Sequence, residues 1–340
     1  MVLQRKLAQP VTSTVLAVLF IYIALSVMCC GLIPGTAAKA EERGDLTGRF
    51  EEPRTVTVDG KEYIENNKLT TILLMGVDKS EERSRNDRPG SFRSGGQADF
   101  LLLVVIDSKH ETLTPIQIDR DTMAEITILG VLGNPAGTRE GHICLAHSYG
   151  DGKEQSGMLT AEAVSRLFQG VKIDFFVAMN MDGIINFNEA LGGVTVTLED
   201  DFSALDPSMK PGETLTLRGK QSEYYVRTRM SIGVGTNEAR MKRQDSYMSA
   251  ARAIIDEKMR ENANFIGNLF DAVSDYLTTD MRRGRMINEA YWSRNYERKG
   301  IITPPGEHTI GESGFMEFRP DEQELLRIVL DVFYEPAGTQ

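Results

Sequence analysis

The chain reads as an α/β protein, and three observations carry that assignment. The apolar runs at residues 70–77 (TTILLMGV) and 100–106 (FLLLVVI) are unbroken and rich in β-formers, as in strands covered on both faces. Amphipathic helical patterns alternate along the sequence with these and with further short strands, which layers helices on a sheet. The 340 residues, 41% hydrophobic and 26% charged, are enough for a sizeable core.

In chain order, residues 11–33 (VTSTVLAVLFIYIALSVMCCGLI) carry no charged side chain. They are long enough to cross a hydrocarbon core of about 30 Å as one N-terminal transmembrane helix. Arg5 and Lys6 precede the run, so the first ten residues are expected in the cytoplasm and everything after residue 33 outside. Ala38-Lys39-Ala40 leaves a cleaved signal peptide as the alternative, but the run exceeds a signal-peptide core. Lipid attachment at Cys29 or Cys30 fits less well, because Met28 and Cys29 precede them. Residues 34–68 are polar and read as an extracytoplasmic stalk, with a short hairpin signal at Asp59-Gly60. Residues 69–335 are left for the main folded domain.

Within that domain the strand at 70–77 ends on Asp78, and a Ser/Arg/Gly/Asp-rich loop follows. The strand at 100–106 turns through Asp107-Ser108-Lys109-His110 into an antiparallel partner at 113–118, where Pro115 points to an irregular or edge position. That partner runs into Asp119-Arg120-Asp121, followed by a Gly-rich connection. Helices are expected over 159–169, with Gly170 as the cap, and over 182–191, with Asp182 at the start and Gly192 at the stop. Strands are expected at 175–181 and 194–198. A long helix over 239–259 places Met241, Met248, Ala251, Ile255 and Met259 on one side and Arg240, Arg243, Gln244 and Tyr247 on a polar one. Helices at 266–277 and 321–333 complete the chain.

The net charge is −11, and −13 once Arg5 and Lys6 are set aside (−11 − 2), so binding of nucleic acid through bulk charge is excluded. Two of the three cysteines sit in the apolar run, which leaves Cys144 without a disulfide partner; it reads as a small core residue. His142 and His147 read as separate loop or core features rather than a zinc pair. No GxxxxGK[ST], HExxH, GxSxG or CxxC motif is present. What remains is three groups: the strand-end carboxylates Asp78 and Asp99, the Asp119-Arg120-Asp121 corner, and the arginines of residues 225–244 (YVRTRMSIGVGTNEARMKRQ). Singly, each suits turn formation, a local ion pair or a solvated face. Together they suit a diphosphate, because Mg²⁺ is commonly held by one or two carboxylates plus phosphate oxygens and guanidinium forks match phosphate.

Seven ordered segments resemble one family: ILLMGVD, ADFLLLVVID, IQIDRDTM, LAHSYGDG, ALGGVTVTL, YYVRTR and RMKRQ, spread over residues 72–244. The chain resembles the LytR-CpsA-Psr family of membrane-anchored cell-wall glycopolymer transferases. The resemblance implies a central mixed β-sheet flanked by helices, an α-β-α sandwich, enclosing an apolar pocket for a polyprenyl chain. It implies Mg²⁺ (or Mn²⁺), an undecaprenyl diphosphate-linked glycopolymer such as teichoic acid or capsular polysaccharide as donor, and a peptidoglycan hydroxyl as acceptor. Carried over residue by residue, Asp78 and Asp99 match the metal aspartates, and Arg120 with Asp121 the corner. Arg227, Arg229, Arg240 and Arg243 match the arginines that grip the diphosphate, with Gln244 in step. By this reading, replacing Arg227 or Arg243 by Ala removes activity and leaves the fold, and the Gly233-Val234-Gly235 loop lets the arginine pairs close on the ligand. The sequence departs from the pattern at Gln97, where arginine is common, at Asp119, where proline is common, and at Cys144 and His147, often Asn and Tyr. The general base stays open between Asp78, Asp121 and a metal-bound hydroxyl. Alternatives are a polyprenyl diphosphate phosphatase and a noncatalytic lipid-carrier or wall-binding protein.

Overall fold

The computed structural model describes residues 53–78, 95–130, 133–228, 232, 237–262 and 264–338. The expected membrane segment, the first part of the stalk, the polar loop after Asp78, Arg229 and the Gly233-Val234-Gly235 loop lie outside these residues. Among the described residues no helix is long and apolar enough to cross a membrane.

In chain order the strands are β1 (Thr55–Val58), β2 (Lys61–Glu65), β3 (Leu69–Val77), β4 (Ala98–Asp107), β5 (Thr112–Ile118), β6 (Met123–Leu129) and β7 (Pro135–His142). Then come α1 (Leu145–Ser148), α2 (Glu154–Leu167), β8 (Phe175–Asn180), α3 (Gly183–Ala190), β9 (Thr195–Thr197), β10 (Thr214–Thr216), α4 (Lys220–Arg227) and α5 (Asn237–Glu261). The last third holds α6 (Phe265–Val273), β11 (Leu277–Thr279), α7 (Arg283–Trp292), β12 (Glu297–Arg298), β13 (Gly306–Ile310), β14 (Met316–Pro320), α8 (Glu322–Phe333) and β15 (Tyr334–Pro336).

Six strands form the central mixed sheet in the order β11-β8-β3-β4-β5-β12. β3 is parallel to β8 and antiparallel to β4, which is antiparallel to β5. Alternation along the buried strands supplies two cores. Leu74, Leu102 and Val104 pack with Phe187, Val226, Ile255 and Leu269 of α3 to α6. Leu73, Leu101 and Leu103 pack with Val164, Leu325 and Val329 of α2 and α8 on the other face. The molecule is thus an α-β-α sandwich, as expected, with Pro115 paired to β4 and only a short β12 outside it.

Three expectations need correction. Residues 123–142 are not a plain connection but the antiparallel ribbon β6–β7, in which Ala124 and Ile126 alternate into the α2-side core. The hairpin expected in the stalk forms, with Asp59 and Gly60 at φ of +50° and +74°, but β2 also pairs with β15, which makes it integral to the folded domain. Tyr247 is not on a polar face: it is fully buried and donates its hydroxyl to Asn188 Oδ1 at 3.0 Å.

Candidate active site

Sheet register assembles the site. Ile118 stands opposite Leu101, so the antiparallel pairing carried two residues further brings Arg120 level with Asp99. At the neighbouring edge Val77 stands opposite Ala98, and the Asp78 N–H donates to the Gln97 carbonyl at 2.9 Å. The carboxyl ends of β3 and β5 and the start of β4 therefore deliver Asp78, Gln97, Asp99 and Arg120 to one end of the sheet.

Arg120 is the hub. Its Nη1 lies 2.5 Å from Asp99 Oδ1, its Nε 3.3 Å from Asp121 Oδ1, and its Nη2 donates to Gln97 Oε1 at 2.8 Å and reaches Cys144 Sγ at 3.7 Å. The Asp99 side chain is only 1% exposed. Burial opposes the guanidinium charge, but Asp99, Cys144 and Asp121 outweigh it and raise the Arg120 pKa. For Asp121 burial is the larger effect: it lifts the carboxyl above its ordinary value, and Arg120 offsets this in part. Burial also pushes the Cys144 thiol up to about 12, so at neutral pH it is a protonated packing group and no nucleophile.

The later arginines divide. Arg227, at the carboxyl end of α4, pairs with Glu223 at 2.5 Å and stays partly exposed. Arg243 on α5 is 4% exposed. Its Nε donates to the Tyr225 carbonyl at 3.1 Å, its Nη1 to Asp200 Oδ2 at 2.5 Å and its Nη2 to the Thr228 carbonyl at 2.5 Å. The expected exposed arginine surface on α5 is therefore, at Arg243, a buried clamp joining the helix to the end of α4. Arg240 and Gln244 fall on α5, but their side chains lie outside the described residues, as does Arg229 altogether.

Among the described residues no cluster of three or more acidic, histidine or cysteine side chains is arranged to hold a metal. A divalent cation here would rest on the Asp78 and Asp99 carboxylates and take its other oxygens from a ligand, a donor set that suits Mg²⁺ bound together with phosphates. His142 and His147 point to different carbonyls, Nε2 to Met316 O at 2.8 Å and Nδ1 to Gly96 O at 3.1 Å.

Residues 35–328 match the LytR_cpsA_psr family. The chain belongs to that family. It is 28% identical over 217 residues to a polyisoprenyl-teichoic acid–peptidoglycan teichoic acid transferase TagU of Halalkalibacterium halodurans, spanning 62% of this chain and 61% of that protein. A transferase of the same description from Bacillus subtilis is 26% identical over 245 residues, 72% of this chain and 69% of the relative. The crystal structure of a Streptococcus agalactiae protein shares the fold, with a TM-score of 0.59 at 24% identity over 78% of this chain and 86% of that one.

Two positions that the sequence reading takes as departures, Gln97 and Asp119, have a physical reading here. Gln97 supplies a neutral carbonyl that accepts from Arg120, where a second guanidinium would repel it. Asp119 accepts the Asp121 N–H on Oδ1 at 2.8 Å, closing the turn that proline would otherwise rigidify. Sequence reasoning missed Asp200, which has no local motif, and Cys144 as a contact of Arg120, which only the strand register could have revealed.

Proposed function

We propose that this LytR_cpsA_psr chain is an extracytoplasmic phosphotransferase. It moves a glycopolymer from an undecaprenyl diphosphate carrier to a peptidoglycan hydroxyl and forms a phosphodiester. The observation that carries the reading is the partly buried Asp99–Arg120–Asp121 group beside Asp78 at one sheet end: cation and carboxylates stand preorganised where a diphosphate would need charge neutralised. Residues 11–33 would anchor the domain at the membrane that holds the donor. Asp78 and Asp99 would hold Mg²⁺, which supplies charge neutralisation at the diphosphate when bound. Arg120 orients Asp121, whose raised pKa suits it to accept the acceptor hydroxyl's proton, and Arg227, which stays partly exposed, would bind phosphate oxygens. The leaving group is undecaprenyl phosphate.

The test is turnover of a synthetic undecaprenyl diphosphate glycan by the full-length protein with Mg²⁺ and peptidoglycan present. Wild type is expected to form the polymer–wall product. Arg227→Ala and Asp99→Asn are expected to lose at least about 100-fold in rate, as removal of transition-state charge stabilisation does. Unchanged turnover in Asp99→Asn would remove this sheet end from the reaction, and unchanged turnover in Arg227→Ala would remove that arginine from it.

A further inference from the structure

We propose that His308, 189 positions along the chain from Asp119, is a positioning residue that braces the catalytic corner. The inference rests on the transferase reading and deepens it.

The two oxygens of Asp119 have separate partners. Oδ1 accepts the Asp121 N–H at 2.8 Å, and Oδ2 lies 3.0 Å from His308 Nε2. An ionised carboxylate only accepts, so the imidazole must carry its proton on Nε2. His308 is on β13, in register with Phe318 of β14, and the two rings pack with centroids 4.7 Å apart. Phe318 in turn donates its N–H to the Asp121 carbonyl at 2.8 Å. The hairpin thus grips the corner on both sides of Arg120: at Asp119 through an imidazole and at Asp121 through the backbone. Arg120 has its own side-chain contacts, but its backbone sits between these two anchors, and small displacements of a charge-stabilising group cost rate steeply. Elsewhere the hairpin is held independently, by Arg319 to Glu140 at 2.7 Å and by His142 to the Met316 carbonyl at 2.8 Å. Removing the His308 side chain therefore takes away the Asp119 contact and the ring packing on Phe318, while the Asp121 contact and the other two anchors keep the hairpin seated.

The experiment uses the full-length protein with the synthetic undecaprenyl diphosphate glycan and peptidoglycan, comparing wild type, His308→Ala, His308→Gln, Asp119→Ala and the Asp119→Ala/His308→Ala double variant. His308→Ala is expected to lower kcat on the order of tenfold with KM little changed. His308→Gln, which keeps an N–H donor, is expected to restore most of it. In the Asp119→Ala background His308→Ala is expected to add no further loss, because its action runs through that carboxylate. Wild-type kcat in His308→Ala, additive losses in the double variant, or a glutamine variant as poor as the alanine one would overturn the proposal. Hydrogen exchange over residues 119–122 is read alongside and is expected to speed up in His308→Ala. If wild type fails to turn over the donor, the transferase reading falls while the brace stands or falls on that exchange, unchanged rates overturning it.

Discussion

Arg120 and Arg243 look alike in sequence, each an arginine within a polar motif, yet burial gives them different work. Arg120 gathers two carboxylates, an amide and a thiol at the open end of the sheet, whereas Arg243 spends its three nitrogens on Asp200 and two carbonyls inside the protein. Arg243→Ala is therefore expected to cost about 3 kcal/mol of stability, since it strands a partly buried carboxylate and two acceptors. Denaturant unfolding reads this directly, and a variant with wild-type stability and no activity would return Arg243 to the ligand-gripping role. Asp121 carries a pH signature. Because burial raises its folded pKa, its contribution to stability is complete below the ordinary carboxylate range and is lost as pH rises through the raised value. Asp121→Asn cannot ionise, so its melting temperature is expected to gain on wild type from acid to neutral pH; a gap that does not change with pH contradicts this. Residue types thus told of anion chemistry, but the partner of each arginine depended on contacts such as Arg243 with Asp200, 43 positions apart, that no local pattern encodes.

Elements were more legible where burial was complete. β3, β4, α5 and α8 lie where unbroken apolar runs and helical periodicity put them, because those patterns answer to the core they face. The β6–β7 ribbon escaped because only one of its faces is covered, leaving a weak alternation in MAEITIL and a polar, exposed β7. Tyr247 escaped because its hydroxyl suggested solvent, while Asn188 of α3 supplies a buried acceptor. Asn188 also donates to the Leu217 carbonyl at 2.8 Å and accepts the Val194 N–H at 3.1 Å, so it ties α3 to α5 and to the entry of β9 and exit of β10. Tyr247→Phe is expected to cost about 1 kcal/mol and Asn188→Ala about 3 kcal/mol, because the second leaves three buried groups unpaired. Equal losses on chemical denaturation would contradict that network. On α2, Gly157 lies under the Phe176 ring, which a methyl group would overlap. Gly157→Ala is expected to destabilise by about 1–3 kcal/mol by overpacking, against the gain of about 1 kcal/mol that helix propensity alone predicts. A more stable variant would mean that the ring can move aside.

At the scale of the whole molecule, an acidic chain gathers Arg120 and several carboxylates at one end of a sheet covered on both sides. The α/β layering followed from alternating elements, and the mixed sheet sandwiched between helices from the family resemblance. The site needed the register between β4 and β5, because Asp99 and Arg120 are 21 positions apart (120 − 99) and meet only through it. The hairpin brace on Asp119 arrives from the far end of the domain and had no signal beyond a lone histidine. Transfer of the polymer with its phosphate to the wall is the step on which the proposed function turns. Its most direct measurement follows a donor labelled at the phosphorus next to the sugar, with the full-length protein, Mg²⁺ and peptidoglycan. The label is expected in a phosphodiester on the wall while the carrier leaves as its monophosphate. Label recovered as a water-soluble sugar phosphate, or retained on an intact donor bound without turnover, would contradict the transferase account.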